Sequence, residues 1–111
     1  MEPRLKSGIW VKALIRRCDI EAISVAVIAR GDPDAGAILL KLVAREAGCS
    51  VLAQARGAGG EAVWMRATGP AAVPEADADS YIARQRKYDP DLWVVEIDGA
   101  APETVIDGPI V

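Results

Sequence analysis

The chain has 111 residues, 51% of them hydrophobic and 26% charged, with a formal net charge of −3. That length fits a single domain spanning 1–111 with a modest core, and the acidic balance argues against nucleic acid, whose binding rests on neutralising phosphates with cations. The lack of any histidine excludes His-based zinc sites and every catalytic arrangement built on an imidazole base.

No stretch approaches the roughly 20 apolar residues of a membrane helix. Residues 1–6 lead into a charged, helix-like stretch rather than an apolar signal core, so a cytoplasmic location is expected. The first helix is expected over 6–22, where Val11, Leu14, Ile15, Cys18 and Ala22 recur at spacings of three and four. Ser7 is placed to cap it, and Arg16 and Arg17 lie near its C-terminus, where the macrodipole favours cations. Residues 25–30 and 37–42 are rich in Val, Ile and Leu and flank Gly31-Asp32-Pro33-Asp34-Ala35-Gly36. They read as a β-hairpin with a rigid acidic tip. Residues 50–56 and 62–67 make a third and fourth strand around a Gly-rich loop.

The second helix is expected over 75–88. Glu75, Asp77 and Asp79 open it, and Arg84, Arg86 and Lys87 close it, as the macrodipole favours. Ala78, Tyr81, Ile82 and Gln85 form its packing stripe. Asp89-Pro90 ends it, 92–97 is a fifth strand, and an irregular tail is expected from about Gly99. The expected fold is α+β, in the order α-β-β-β-β-α-β. It has an antiparallel five-stranded sheet of order 5-1-2-3-4, with both helices on one face.

Several segments taken together, L-I-R-R-C at 14–18, R-G-D-P-D-A-G at 30–36, L-L-K-L at 39–42, W-M-R-A-T-G-P at 64–70, Y-I-A-R-Q at 81–85 and D-P-D-L-W-V-V-E-I at 89–97, resemble the DUF1491 family of small bacterial proteins of unknown function. The resemblance covers nearly the whole chain. It implies one intact domain and brings no catalytic residue, cofactor or substrate with it.

The residues themselves offer few chemistries. Cys18 and Cys49 are 31 residues apart, among apolar neighbours, and read as reduced, buried thiols. Counted from Asp32, a calcium loop would need Gly at position six and Glu at twelve, but Gly36 is fifth and Val43 twelfth. A P-D…(D/E)-x-K nuclease core would need an acid where Leu39 stands. The acids of E-A-D-A-D at 75–79 are spaced by two, which distributes them around the helix. No metal site and no cofactor are expected. Asp-Pro-Asp occurs at 32–34 and again at 89–91, where turn chemistry is the plain reading. The alternative is a polar site made by Arg30, Asp32, Asp34, Arg84, Asp89 and Asp91.

Register sorts the strands into two faces. With Arg30 opposite Ala37, Arg45 opposite Cys49 and Arg56 opposite Ala62, one face carries Ile28, Leu39, Lys41, Val43, Val51, Ala53, Ala55, Val63 and Met65. The other carries Val25, Val27, Ile38, Leu40, Leu42, Leu52, Gln54, Arg56, Trp64 and Arg66. Helices are expected on the first, which leaves Leu40, Gln54, Trp64 and Arg66 as a candidate interface for an unknown protein partner or a second copy; the rival cover for that face is the tail. The chain thus reads as a non-enzymatic interaction or accessory module, with a homodimer as one form. A small-ligand binder or histidine-free enzyme using the Asp/Arg cluster is the alternative.

Overall fold

The structure, a computed structural model, describes residues 5–111; the part of the N-terminal reading that falls on residues 1–4 lies outside them. The described chain forms α1 (Ser7–Ile20), β1 (Ser24–Ala29), β2 (Ile38–Ala44), β3 (Gly48–Arg56), β4 (Ala62–Arg66), α2 (Glu75–Tyr88) and β5 (Trp93–Gly99). A 3₁₀ turn, Pro102–Val105, follows. The α+β class and the element order agree with the sequence; the sheet does not. Its order is β1-β5-β2-β3-β4, not 5-1-2-3-4, and it is mixed, because β5 runs parallel to β2 and antiparallel to β1.

The reason lies in β5. Trp93, Val94, Val95 and Ile97 are all buried, and consecutive residues face opposite sides of the sheet. A strand buried on both faces belongs inside a sheet. β1 (S-V-A-V-I-A) is largely exposed and takes an edge. The linker over 31–36 could not decide between a hairpin and this arrangement. Six residues reach roughly 20 Å, and stepping over one intervening strand needs only about 10 Å.

The helices also lie on opposite faces, not on one. Val11, Leu14 and Cys18 of α1 pack with Leu40, Leu42, Leu52, Trp64, Val95 and Ile97. Ala78 and Ile82 of α2 pack with Leu39, Val51 and Val94. The pairing of Arg56 with Ala62 is observed. Cys49 pairs with Val43 rather than Arg45, a slip of two that keeps the β2 and β3 side chains on their expected faces; in β1 the bulge between Val27 and Ala29 breaks the alternation expected through Ile28. Both faces are apolar at their centres, so each needs a cover. Two helices on one side would have left Leu40, Leu52 and Trp64 in water. The tail completes the α1 side: Val105 is buried there, and Arg17 Nη1 donates to its carbonyl at 2.6 Å.

Residues 31–36 act as a clasp. The Asp32 amide donates to the Asp91 carbonyl at 2.9 Å, and Trp93 Nε1 donates to the Asp32 carbonyl at 2.7 Å. The start of α1 docks on the same segment. Its Gly8 amide donates to the Pro33 carbonyl at 2.8 Å, and Ser7 Oγ donates to the Gly36 carbonyl. Ser7 therefore does not cap its own helix, which begins without a side-chain cap; the loop carbonyls take the first helical donors instead. A Cβ on Gly31 would overlap the Asp91 carbonyl oxygen, and one on Gly36 would come within 2.5 Å of it. Gly31→Ala and Gly36→Ala should each lower the free energy of unfolding by about 1–3 kcal/mol, the usual cost of overpacking. Gly99→Ala, whose Cβ would meet only Ile23 at 3.9 Å, should cost clearly less; urea melts of the three variants compare them.

Candidate functional site

A cleft of about 440 Å³ lies between α1 and β1. Its apolar lining comes from Ile9, Val11 and Ile15 on one side, Val27 on the other, and Trp93. The clasp supplies Pro33 and Asp34, so the contacts that hold the topology also build the cleft. Lys6, Lys12 and Arg30 place three cations on its lining. Asp34, the single carboxylate there among the described residues, lies 3.6 Å from Lys6 in a solvent-exposed pair. The Arg30 guanidinium sits 5.8 Å from the centre of the Trp93 indole, a cation–π distance.

β1 forms the outer wall. It pairs with β5 alone, and its other edge is unpaired among the described residues. The opposite sheet edge is treated differently. The tail runs beside β4, where the Trp64 amide donates to the Pro109 carbonyl and the Arg66 amide to the Val111 carbonyl, at 2.9 and 3.1 Å.

Of the polar-cluster candidates, Arg30 and Asp34 share the lining of the α1–β1 cleft, but the six do not gather at one place. Asp32 Oδ2 accepts the amides of Asp34 and Ala35, and Asp89 Oδ1 accepts that of Asp91, so both side chains are spent on turns. Arg84 is exposed on α2. None of Arg30, Asp32, Arg84, Asp89 and Asp91 is in an ion pair among the described residues. The two Asp-Pro-Asp segments do meet, through backbone, at Asp32 and Asp91. The interface candidates divide. Leu40 is fully buried and Trp64 is 6% exposed, packed against Trp10 with ring centres 5.3 Å apart. Both lie inside the subunit under α1 and the tail. Gln54 is exposed and Arg66 half-buried. Gln54 and Trp64 also line a second, more polar cleft of about 660 Å³ on the other flank of the start of α1.

Sequence reasoning missed a centre on the α2 face. Lys41 is 5% exposed, and its ammonium contacts Glu75 and Asp79 at 2.7 Å and Glu96 at 3.1 Å. Parallel register sets Lys41 beside Glu96. Glu75 and Asp79 are four apart, hence on one side of α2. That spacing was the available signal, together with a lone lysine in an apolar strand. Burial by itself would lower the lysine pKa, but hydrogen bonds to Asp79, Glu75 and Glu96 outweigh it and hold it above the ordinary 10.5. Burial pushes the Cys18 and Cys49 thiols up, away from the reactive thiolate. None of these three groups lines either cleft.

The model of the family described as "Protein of unknown function (DUF1491)" matches residues 5–107. The chain belongs to the DUF1491 family. Its fold is similar to a crystal structure of a DUF1491 family protein from Caulobacter crescentus, with 35% identity, a TM-score of 0.87, and 97% of this chain and 100% of that one covered. An NMR structure of a DUF1491 family protein from the same organism is also similar, with 35% identity, a TM-score of 0.84 and 99% of each chain covered. So is a solution structure of a protein from A. tumefaciens, at 29% identity and a TM-score of 0.78, covering 98% of this chain and 100% of that one. No curated protein matches the chain.

The way this DUF1491 chain uses its buried residues sets what their loss should cost. Trp64→Ala should destabilise the isolated chain by about 3–5 kcal/mol, the cost of emptying a core site, measured by urea unfolding. Lys41→Met should cost about 2 kcal/mol, because it leaves three carboxylates facing one another at the sheet surface. Glu75→Gln should cost only about 0.5 kcal/mol, since its side chain is largely exposed and screened. With the folded lysine pKa raised, the stabilisation is fully present below the unfolded value of 10.5 and is lost as pH rises through the higher folded value. The gap between wild type and Lys41→Met should therefore persist at neutral pH and narrow in strongly alkaline solution.

Proposed function

We propose that this protein is a small interaction module that holds another protein along β1 and the adjoining cleft. The observation that carries the reading is the unequal treatment of the two sheet edges. β4 is covered by the chain's own tail, whereas β1 has no covering strand among the described residues. Proteins normally guard an edge with charge, proline or a covering segment. β1 carries none of these within Ser24–Ala29, and Val27 and Ile28 are 37% and 52% exposed. A register shift between Val27 and Ala29 is its one irregularity.

An accessory role fits this surface better than catalysis does. The carboxylates of Asp32 and Asp89 are held in turns, and the deeply buried charge, Lys41, is neutralised by its own carboxylates on the α2 side. No helix of the described chain is long and apolar enough to cross a membrane. The test is capture from a host extract by immobilised wild-type chain and by the Val27→Asp and Ile9→Asp variants. Both substitutions fall at exposed positions, so melting temperatures should stay within a few degrees of wild type. A protein retained by wild type and released by both variants is the expected result. Retention that ignores both substitutions, or no retained protein, would count against the reading.

A further inference from the structure

Building on that reading, we propose that the occupant of the cleft is an extended segment of a different protein, rich in carboxylates and added to β1 as a new strand. Strand addition supplies main-chain hydrogen bonds at a free edge, and alternate side chains of the added strand enter whatever lies beside it. Here that neighbour is α1. Val25 and Val27 pair with Ile97 and Val95, which face α1. Alternate side chains of an added strand would therefore point to the same side, toward Ile9 and Ile15. Ile9 is 53% exposed there, an apolar wall without a described partner.

Charge selects the kind of segment. The chain as a whole is acidic, at −3, yet among the described residues the cleft places Lys6, Lys12 and Arg30 against Asp34 alone. Lys12 and Arg30 are in no ion pair among the described residues. A local excess of cations on an acidic protein attracts a carboxylate-bearing partner and repels basic ones. It also disfavours a second copy. Two chains meeting edge to edge across a two-fold axis would bring both sets of cations to one seam.

The experiment uses isotope-labelled chain titrated with short peptides that alternate Val with Glu, Gln or Lys, followed by amide NMR. The Val–Glu peptide should shift amides of β1 and the facing turns of α1. Its affinity should fall as salt is added. Binding should weaken about tenfold for the Val–Gln peptide, and likewise when Lys12→Glu and Arg30→Glu are combined, as the loss of two ion pairs at an exposed rim implies. Equal binding of Val–Glu and Val–Gln at β1 would overturn the charge requirement while leaving β1 as an interaction edge. Shifts that map instead to the second cleft, shifts of β1 that depend only on protein concentration, or no shifts at all, would overturn the proposal. Capture of a neutral partner lost on Val27→Asp would overturn it too, without touching the broader reading.

Discussion

The backbone of residues 31–36 closes over the first residues of β5, and the topology depends on that closure. Asp32 gives its amide to Asp91 and its carbonyl to the Trp93 indole. The Pro33 and Gly36 carbonyls receive donors from the start of α1. One short loop thus fixes β1, β2, β5 and α1 together. Two glycines allow it, because any side chain at Gly31 or Gly36 would strike the Asp91 carbonyl. The same contacts form one end of the α1–β1 cleft and seat Trp93 in its lining beneath Arg30. A contact that decides topology therefore also shapes the surface offered to a partner.

The two faces of the sheet are held by different physics. On the α1 side the core is broad and aliphatic, with three tryptophans, Trp10, Trp64 and Trp93, and the tail adds Val105, Ile106 and Ile110. On the α2 side the helix buries only Ala78 and Ile82. Two small contacts are a weak anchor, and the Lys41 centre supplements them with three carboxylates drawn from the helix and β5. Taking an ammonium out of water costs several kcal/mol unless its donors are filled. Three acceptors match the three protons of a lysine. The centre therefore reads as a register pin for α2 more than as a source of net stability.

Much of this was legible in the sequence. Helical periodicity located both helices, and alternation sorted the side chains of β2, β3 and β4 correctly onto the two faces, even across a hairpin slipped by two residues; in β1 it failed at the bulge after Val27. The Asp-Pro-Asp turns were also readable, since their chemistry is local. What could not be read was long-range. A six-residue linker spans one strand or none equally well, so the insertion of β5 between β1 and β2 had no local signature beyond its continuous apolar run. Two apolar faces asked for two covers, and assigning both helices to one left Leu40 and Trp64 as an apparent interface when they are core. The partners of Lys41 come from β5 and α2, far away in sequence. The cleft arises only once α1 and β1 are placed side by side.

The central claim is that β1 is an open edge in the free protein while β4 is closed by its own tail. Amide hydrogen exchange on the isolated chain at low concentration measures this directly. The Trp64 and Arg66 amides, which donate to Pro109 and Val111, should be protected. The β1 amides directed away from β5 should exchange at nearly the rate of unstructured chain. Strong protection along the whole of β1 in the free monomer would mean that the edge is already covered, and would contradict the account.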